Sequence, residues 1–271
     1  MKLDNQVNKK VHNQAEKMIV KPMYLKESVL WFGFWAIILV INIHVWMPYL
    51  LSSDLSEFES FYIVITVPLA LMFFSAILIY FLKNNYSMKG FATFYRIRPF
   101  KPMDIAWGIG LCFFLMLATA VFSLLGTKLI DIGIIRIPKS LPLILSPDTS
   151  FDYHSLNIIV GGQIVGNWKV IILYFVMLFF NVAGEELLWR GYLLPRQELA
   201  FGNKAWIIHG LLWTLFHSFK WWDLISLFPV CLLISFVAQK RKSIWPGFIA
   251  HYLFNGMGFF LFLAAALGML R

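Results

Sequence analysis

The sequence predicts an all-α fold, a polytopic bundle of about seven membrane-spanning helices with a cytoplasmic N-terminus. Of its 271 residues, 60% are hydrophobic and only 14% are charged, whereas soluble domains usually carry about 25% charged residues. The mean hydropathy is +0.73. Apolar runs of about 20 residues, the length that crosses a bilayer, alternate with short charged connections. A large soluble domain is therefore disfavoured.

Each long apolar run is predicted to cross the membrane once. The first run is too long for a signal-peptide core, so we expect it to remain as an anchor. Residues 1–28 form a basic lead, predicted to be cytoplasmic, and 29–271 are predicted to form a single transmembrane domain. The predicted spans are about 29–51, 61–82, 104–126, 169–192, 204–220, 223–239 and 245–269.

The charges of the connections predict the orientation. The connection 52–60 contains acidic residues and no base, whereas 83–103 and 240–242 are rich in Lys and Arg. Basic connections stay in the cytoplasm, which places the N-terminus inside. The formal net charge of +9 follows from this pattern, so we expect no nucleic-acid partner. The long connection 127–168 is poor in charge, and its sequence indicates no chemistry.

Ionisable side chains inside apolar spans are the informative positions, because each is costly unless it is paired or hydrated. In the fourth span, Glu186 and Arg190 are four residues apart. This spacing puts them on one helix face, where they can form an ion pair. Glu185 points away from Arg190, so we expect the two adjacent carboxylates to have different partners.

Two later spans also carry polar side chains at helical spacing. His251 and Asn255 are four residues apart, and His217 lies one turn after Trp213. A carboxylate and a histidine that share a water form a general base for hydrolysis. A second histidine and an asparagine amide can donate hydrogen bonds to the oxyanion. Because there is no GxSxG motif, a serine or cysteine nucleophile is the weaker interpretation.

The remaining histidines and both cysteines are interpreted as structural. Cys112 and Cys231 lie in apolar spans, where they behave as small buried hydrophobes rather than as a disulfide or metal pair. We expect His209 to lie at the interface or to bond to a neighbour. His44 and His154 have the same interpretation.

The three motifs, in this order, resemble the CPBP family, which comprises the CAAX prenyl proteases and bacteriocin-processing enzymes and is also called Abi. Its pattern is EExxxR, then FxxxH, then HxxxN or HxxxD, on successive membrane helices. Here the motifs are at 185–190, 213–217 and 251–255. The resemblance covers about 180–258, with a CPBP-like core predicted at about 169–271. Trp213 replaces the usual phenylalanine, which we expect to affect substrate fit more than chemistry.

The resemblance implies an intramembrane glutamic endopeptidase, a hydrolase that uses no cofactor. Its substrate would be a peptide or membrane-protein segment, including a prenylated CAAX-type tail, and its site would open toward the cytoplasm. The compact chain favours a prokaryotic cytoplasmic membrane. Glu185 would activate water with help from His217. By the same resemblance the catalytic residues are Glu185, His217, His251 and Asn255, and the structural residues are Glu186 and Arg190.

Other functions remain open from the sequence. Glu185, His217 and His251 are residue types that bind zinc with a fourth position free, although no HExxH motif is present. A membrane scaffold or bacteriocin-immunity protein would use the same cavity for binding. Transport is disfavoured by the absence of an inverted repeat. The sequence specifies the lipid bilayer as a partner but no oligomeric state.

The predicted spans also leave one geometric conflict. Glu185 and His251 are predicted near the cytoplasmic side, whereas His217 lies about 12 residues, or roughly 18 Å, into its span. The three side chains converge only if the helix after Asn203 begins outside the bilayer core or if the helices tilt.

Overall fold

The computed structural model describes residues 21–83 and 88–270. Within these residues the fold is all-helical, so the predicted helical bundle is confirmed. Most of the predicted basic lead, residues 1–20, lies outside the described residues. The α-helices are α1 Leu25–Ile41, α2 Met47–Leu51, α3 Glu57–Lys83, α4 Met88–Phe94, α5 Pro102–Asp131, α6 Tyr153–Ile159, α7 Trp168–Glu185, α8 Leu194–Phe201, α9 Ala205–Phe216, α10 Leu224–Arg241 and α11 Trp245–Ala266.

The described chain is a multi-pass membrane protein by the length and composition of its helices. Five helical stretches are long and apolar enough to cross a membrane, and the first three and the fifth match predicted spans to within about five residues at each end. The fourth stretch contains the next three predicted spans. The five stretches that are long and apolar enough to cross a membrane are Leu25–Leu51, Glu57–Leu82, Pro102–Asp131, Trp168–Arg241 and Trp245–Ala266.

The fourth stretch folds into three legs. The first leg is α7, a π-helical segment Glu186–Leu193 and α8, and the other two legs are α9 and α10. α9 has only 12 residues, a length of about 18 Å at 1.5 Å per residue. The predicted span 204–220 is therefore too long. The α-helix ends at Phe216 because a 3₁₀ turn follows, in which Lys220 has the non-helical angles φ −131° and ψ 63°.

The outward faces of the long helices are apolar. Phe113, Phe114, Val121 and Leu124 on α5 are all more than half exposed. A soluble protein of this size rarely exposes so continuous an apolar surface. These side chains are suited to contact lipid, as expected for a membrane span.

The connections with many Lys and Arg residues meet at one end of the bundle, here called the basic end. Glu198 of α8 accepts hydrogen bonds from Arg96 Nη1 and Nη2 at 2.6 and 2.9 Å and also pairs with Lys242. Trp245 Nε1 donates to the carbonyl oxygen of Arg98 at 2.7 Å. These contacts hold the connections that precede α5 and α11 to α8 and to each other.

The opposite end of the bundle carries the acidic and long connections. The backbone N–H of Ile144 donates to Glu57 at 3.3 Å, which joins connection 132–167 to the start of α3. Trp221 Nε1 donates to the carbonyl oxygen of Arg136 at 2.8 Å. The 3₁₀ turn after α9 therefore lies beside this connection.

α3 and α7 approach closely beside the first motif. A Cβ atom added at Gly184 would lie 2.7 Å from the backbone oxygen of Leu69. Backbone cannot move aside as a flexible side-chain end can. Glycine at this position therefore fixes the distance between the two helices and the depth of the residue that follows it, Glu185.

The first prediction follows from this contact. Gly184→Ala should lower the free energy of unfolding by about 2 kcal/mol, the usual cost of overpacking. Gly33→Ala is the matched control, because a Cβ at Gly33 in α1 meets nothing within 4 Å. Thermal unfolding of both variants in detergent is the measurement. Equal midpoints for the two variants would contradict the close α3–α7 contact.

Candidate active site

The first motif lies where α7 changes into the π-helical segment Glu186–Leu193. All eight residues of this segment are buried, and Glu185 before it is 1% exposed. Short π-helical segments inside α-helices are frequent at functional sites, because they alter which side chains share a face. Here the segment is surrounded by protein, so both glutamates and Arg190 lie inside the bundle.

Glu185 is held by two side-chain hydrogen bonds. Its Oε1 accepts from Asn181 Nδ2 at 2.8 Å, and its Oε2 accepts from Trp213 Nε1 at 2.6 Å. A carboxylate oxygen can accept two hydrogen bonds. Glu185 is therefore fixed in orientation while each oxygen retains capacity for a further donor, such as a water molecule.

Glu186 has the different set of partners that the sequence predicts. Its Oε1 accepts from Arg190 Nε at 3.1 Å and also from Arg190 Nη2. Both side chains are fully buried, and the guanidinium lies 3.7 Å from the centre of the Trp213 ring. Glu186 Oε1 is also 3.0 Å from His251 Nδ1. The expected ion pair is thus present, and it includes a histidine that the sequence analysis assigned elsewhere.

A chain of hydrogen bonds joins the two glutamates across three side chains. Because the Glu186 carboxylate accepts, His251 Nδ1 carries a proton and Nε2 a lone pair in the neutral ring. Asn255 Nδ2 lies 3.0 Å from His251 Nε2 and 2.6 Å from Asn181 Oδ1. Asn181 in turn donates to Glu185. The third motif therefore bridges the two carboxylates of the first.

His217 lies at the end of the short helix α9. Its Nδ1 is 2.9 Å from the carbonyl oxygen of Trp213, and a carbonyl can only accept. The proton of the neutral ring is therefore on Nδ1, and Nε2 carries the lone pair. This arrangement presents His217 as a base.

Trp213 connects the three motifs. Its N–H bonds to Glu185, and its ring lies 5.6 Å from the His251 ring and 5.9 Å from the His217 ring. Phenylalanine, the usual family residue, would keep a ring but has no N–H to donate. The departure at Trp213 therefore alters the hydrogen bonding of Glu185, and its effect is not confined to substrate fit.

The four predicted catalytic residues line one cavity of about 310 Å³. This volume is at the lower end of the range for small-molecule sites, about 300–1,000 Å³. Most of the other lining side chains are apolar. The short α9 removes the geometric conflict in the predicted spans, because its last turn brings His217 to the cavity that Glu185 and His251 reach from other helices.

The cavity runs from the motifs toward the end of the bundle opposite the basic end. Lys220 and Asp223 of the 3₁₀ turn and Ile144 and Leu145 of connection 132–167 also line it. The expected opening toward the cytoplasm stays a prediction.

Sequence reasoning missed Asn181 and Lys220 as cavity residues. Asn181 is a polar residue in an apolar span, four positions before Glu185, so its helical spacing was an available signal. Lys220 carried no such signal, because it was predicted to lie at a span boundary. Its cavity position results from the 3₁₀ turn.

The residues interpreted as structural have local partners. His209 is buried, with Nδ1 2.6 Å from Gln197 Oε1, and His44 Nε2 is 2.8 Å from a backbone oxygen. Cys112 and Cys231 are buried and free. These contacts agree with the structural interpretation of His209, His44 and both cysteines, and that of His154 stays a prediction.

The zinc alternative requires Glu185, His217 and His251 to face one ion. Among the described residues, no three His, Cys, Asp or Glu side chains are placed to hold a metal ion. His251 has both ring nitrogens engaged, one by Glu186 and one by Asn255. Zinc binding would require these contacts to rearrange, and metal content is measured in the experiment described below.

The second prediction concerns the buried ion pair. Arg190→Met leaves the Glu186 carboxylate buried without its partner, so the free energy of unfolding should fall by about 3–5 kcal/mol. The control is Lys169→Met, which breaks a pair with Glu59 whose side chains are 69% and 25% exposed. Exposed pairs contribute less than about 1 kcal/mol. Similar thermal midpoints for the two variants in detergent would contradict the assignment.

Comparison with known proteins gives one match. Residues 167–257, about one third of the chain, match the family model described as type II CAAX prenyl endopeptidase Rce1-like. No curated protein and no solved structure matches the chain. The matched segment contains all three motifs and the side chains that join them. Residues 167–257 are thus an Rce1-like region, and the resemblance of this membrane protein to the CPBP family of CAAX-type endopeptidases is confirmed.

Proposed function

We propose that this protein is an intramembrane endopeptidase in which Glu185 and His217 activate a water molecule. The Rce1-like match implies a membrane-embedded protease at the level of the family. The observation that carries the proposal for this chain is the placement of Glu185 and His217 on one cavity. Glu185 is buried with accepting capacity on both oxygens, and His217 has its proton on Nδ1, which leaves Nε2 basic.

The proposed reaction needs no covalent intermediate. Glu185 accepts a proton from the water, His217 Nε2 accepts a hydrogen bond from it, and the water oxygen bonds to the carbonyl carbon of the peptide. The C–N bond then breaks, and the proton passes from Glu185 to the leaving nitrogen. The products are one carboxylic acid and one amine, so water is consumed and no oxidant or cofactor is required.

Asn255 and His251 are proposed to stabilise the oxyanion of the tetrahedral intermediate. In the resting arrangement Asn255 Nδ2 faces His251 Nε2 at 3.0 Å, so the amide turns toward the oxyanion when it forms. His251 donates from Nε2 only when that nitrogen is also protonated. The Glu186 carboxylate accepts the Nδ1 proton and so fixes the orientation of the ring, which makes Glu186 a positioning residue for His251. Such donors contribute most where water is excluded.

The proposed substrate is a peptide bond in a polypeptide that is already at the membrane. Apolar walls and a polar inner end suit an extended apolar segment whose scissile carbonyl reaches Glu185. A prenylated CAAX-type tail is the substrate that the family description indicates. The cytoplasmic membrane of a prokaryote is the proposed location.

The third prediction is that Glu185→Gln lowers cleavage of a membrane-tethered peptide at least about 100-fold, the range for loss of a general base. Glu27→Gln, the same chemical change at an exposed position in the first turn of α1, should cleave at the wild-type rate. The measurement is cleavage by purified protein in detergent or vesicles, with zinc content determined on every sample.

The alternatives give different results in this experiment. Stoichiometric zinc in the active wild type would favour the metalloprotease. Equal behaviour of wild type and Glu185→Gln on every substrate, with the biological role retained, would show that the cavity acts in binding, as in a scaffold or immunity protein.

The fourth prediction tests the hydrogen bond from Trp213 to Glu185. Trp213→Phe keeps an aromatic ring but removes this donor, so kcat/KM should fall about tenfold or more, since a hydrogen bond to a charged group is worth about 1.5–3 kcal/mol. Trp189→Phe is the matched control. Trp189 is also fully buried, and its Nε1 has no hydrogen-bond partner in the described structure.

The comparison of the two tryptophan variants separates hydrogen bonding from volume. Each loses the same indole atoms from the bundle interior. If Trp189→Phe reduces kcat/KM as much as Trp213→Phe, the effect is loss of packing, and the role assigned to the Trp213 N–H is wrong.

A further inference from the structure

We propose that a groove between α5 and α10 binds a phospholipid whose headgroup carries a net negative charge. The groove has a volume of about 450 Å³ and is lined by apolar side chains of these two helices. Among the described residues, none lines both this groove and the catalytic cavity. The inference therefore stands independently of the proposed cleavage reaction.

The groove is open because two of the α5 residues that line it are small. A Cβ atom added at Gly110 would meet nothing within 4 Å, and Ala106 lies one turn before it. Trp107 and Phe114 of α5 also line the groove, and they are 43% and 62% exposed. The groove thus lies on the outward surface of the bundle, where a lipid acyl chain can enter it from the bilayer.

Two cationic side chains from the last turn of α10 lie beside this groove. The guanidinium carbon of Arg241 is 5.3 Å from the centre of the Trp107 ring. Lys240 Nζ is 5.7 Å from the centre of the Phe236 ring. Both rings belong to residues that line the groove. Since α10 ends at Arg241, the two positive charges mark the end of the groove that reaches the basic end of the bundle.

Neither of these two cations is paired with a carboxylate in the part of the chain that the structure describes. Arg241 Nε is buried there without a hydrogen-bond partner. The neighbouring Lys242, by contrast, is paired with Glu198. Asp104, in the first turn of α5, is buried and bonded to Arg98, so it does not offset the two charges. An apolar groove therefore ends at two cations that remain available to an anion.

This combination selects a lipid by its headgroup more than by its acyl chains. Lipid tails are as apolar as the groove, so a chain placed in it gains mainly packing contacts. A phosphate group accepts charge-assisted hydrogen bonds from a guanidinium, and basic pockets between membrane helices bind anionic headgroups. A zwitterionic headgroup brings its own cation close to Arg241 and Lys240, which weakens the attraction.

A second copy of this chain fits the groove less well than a lipid does. In a two-fold symmetric pair the same surface patch meets itself. Arg241 and Lys240 of one copy would then face the same two residues of the other copy. Like charges placed opposite each other across an interface are unfavourable. The charge beside the groove therefore favours an anionic lipid as its occupant.

The fifth prediction is that purified protein stripped of lipid binds phosphatidylglycerol more tightly than phosphatidylcholine with the same acyl chains. Arg241→Gln and Lys240→Gln should each lower the affinity for phosphatidylglycerol about fivefold or more, as expected for one basic residue near anionic lipid. Lys204→Gln is the matched control, because Lys204 is an exposed cation of the basic end that does not line the groove. Native mass spectrometry in detergent measures lipid occupancy and copy number together.

A second pair of variants tests the groove itself. Gly110→Leu places a side chain in the groove, whereas Gly33→Leu adds the same side chain to α1. At both positions a Cβ atom meets nothing within 4 Å, so both variants should fold, and thermal unfolding in detergent checks this. We expect Gly110→Leu to lower phosphatidylglycerol occupancy by a factor similar to that of Arg241→Gln, and Gly33→Leu to leave it at the wild-type level.

Other outcomes of these measurements overturn the proposal. Equal affinity for the two lipids would show that headgroup charge is not recognised. An equal loss of binding with Lys204→Gln would assign the effect to the basic end as a whole, and unchanged binding with Gly110→Leu would place the lipid outside the groove. A two-copy species that Gly110→Leu converts into single copies would show that a second chain, and not a lipid, occupies the groove.

Discussion

Glu186 and Arg190 bring two opposite charges into an apolar bundle, where either charge without its partner would be strongly destabilising. Arg190 is fixed further by the face of Trp213 beneath its guanidinium, and Glu186 shares its Oε1 with His251. One ion pair thereby sets the relative positions of α9, α11 and the π-helical segment. Loss of Arg190 would leave the buried Glu186 carboxylate without its cation, which is strongly destabilising.

The two adjacent glutamates have the same side chain but different hydrogen-bond partners. Glu186 faces an arginine and a histidine, so its charge is neutralised and its position is fixed. Glu185 is bonded only by the neutral donors of Asn181 and Trp213. Neutral donors orient a carboxylate without neutralising its charge, so Glu185 remains able to accept a proton. The division of roles follows from which helix each residue faces.

The sequence predicted the parts of this structure that depend on local pattern. Apolar length predicted most spans, and four-residue spacing predicted the Glu186–Arg190 pair, because both are properties of one helix. The early end of α9 depends on a 3₁₀ turn whose key residue, Lys220, has no local signature. The N–H of Trp213 acquires its role only when α9 packs against α7. The direction of the cavity likewise depends on how several helices diverge, which no single segment encodes.

The length of α9 also has a consequence for the surrounding lipid. Its 12 residues span about 18 Å, whereas the hydrocarbon core of a bilayer is about 30 Å thick. The 3₁₀ turn that follows has backbone groups that hydrocarbon cannot hydrogen-bond, so they must be buried in protein or face water. Where these groups face water, hydration extends to the last turn of α9, next to His217. The proposed reaction consumes water, and the short α9 brings the 3₁₀ turn, with the partly exposed Lys220, to the cavity from which water would reach Glu185 and His217.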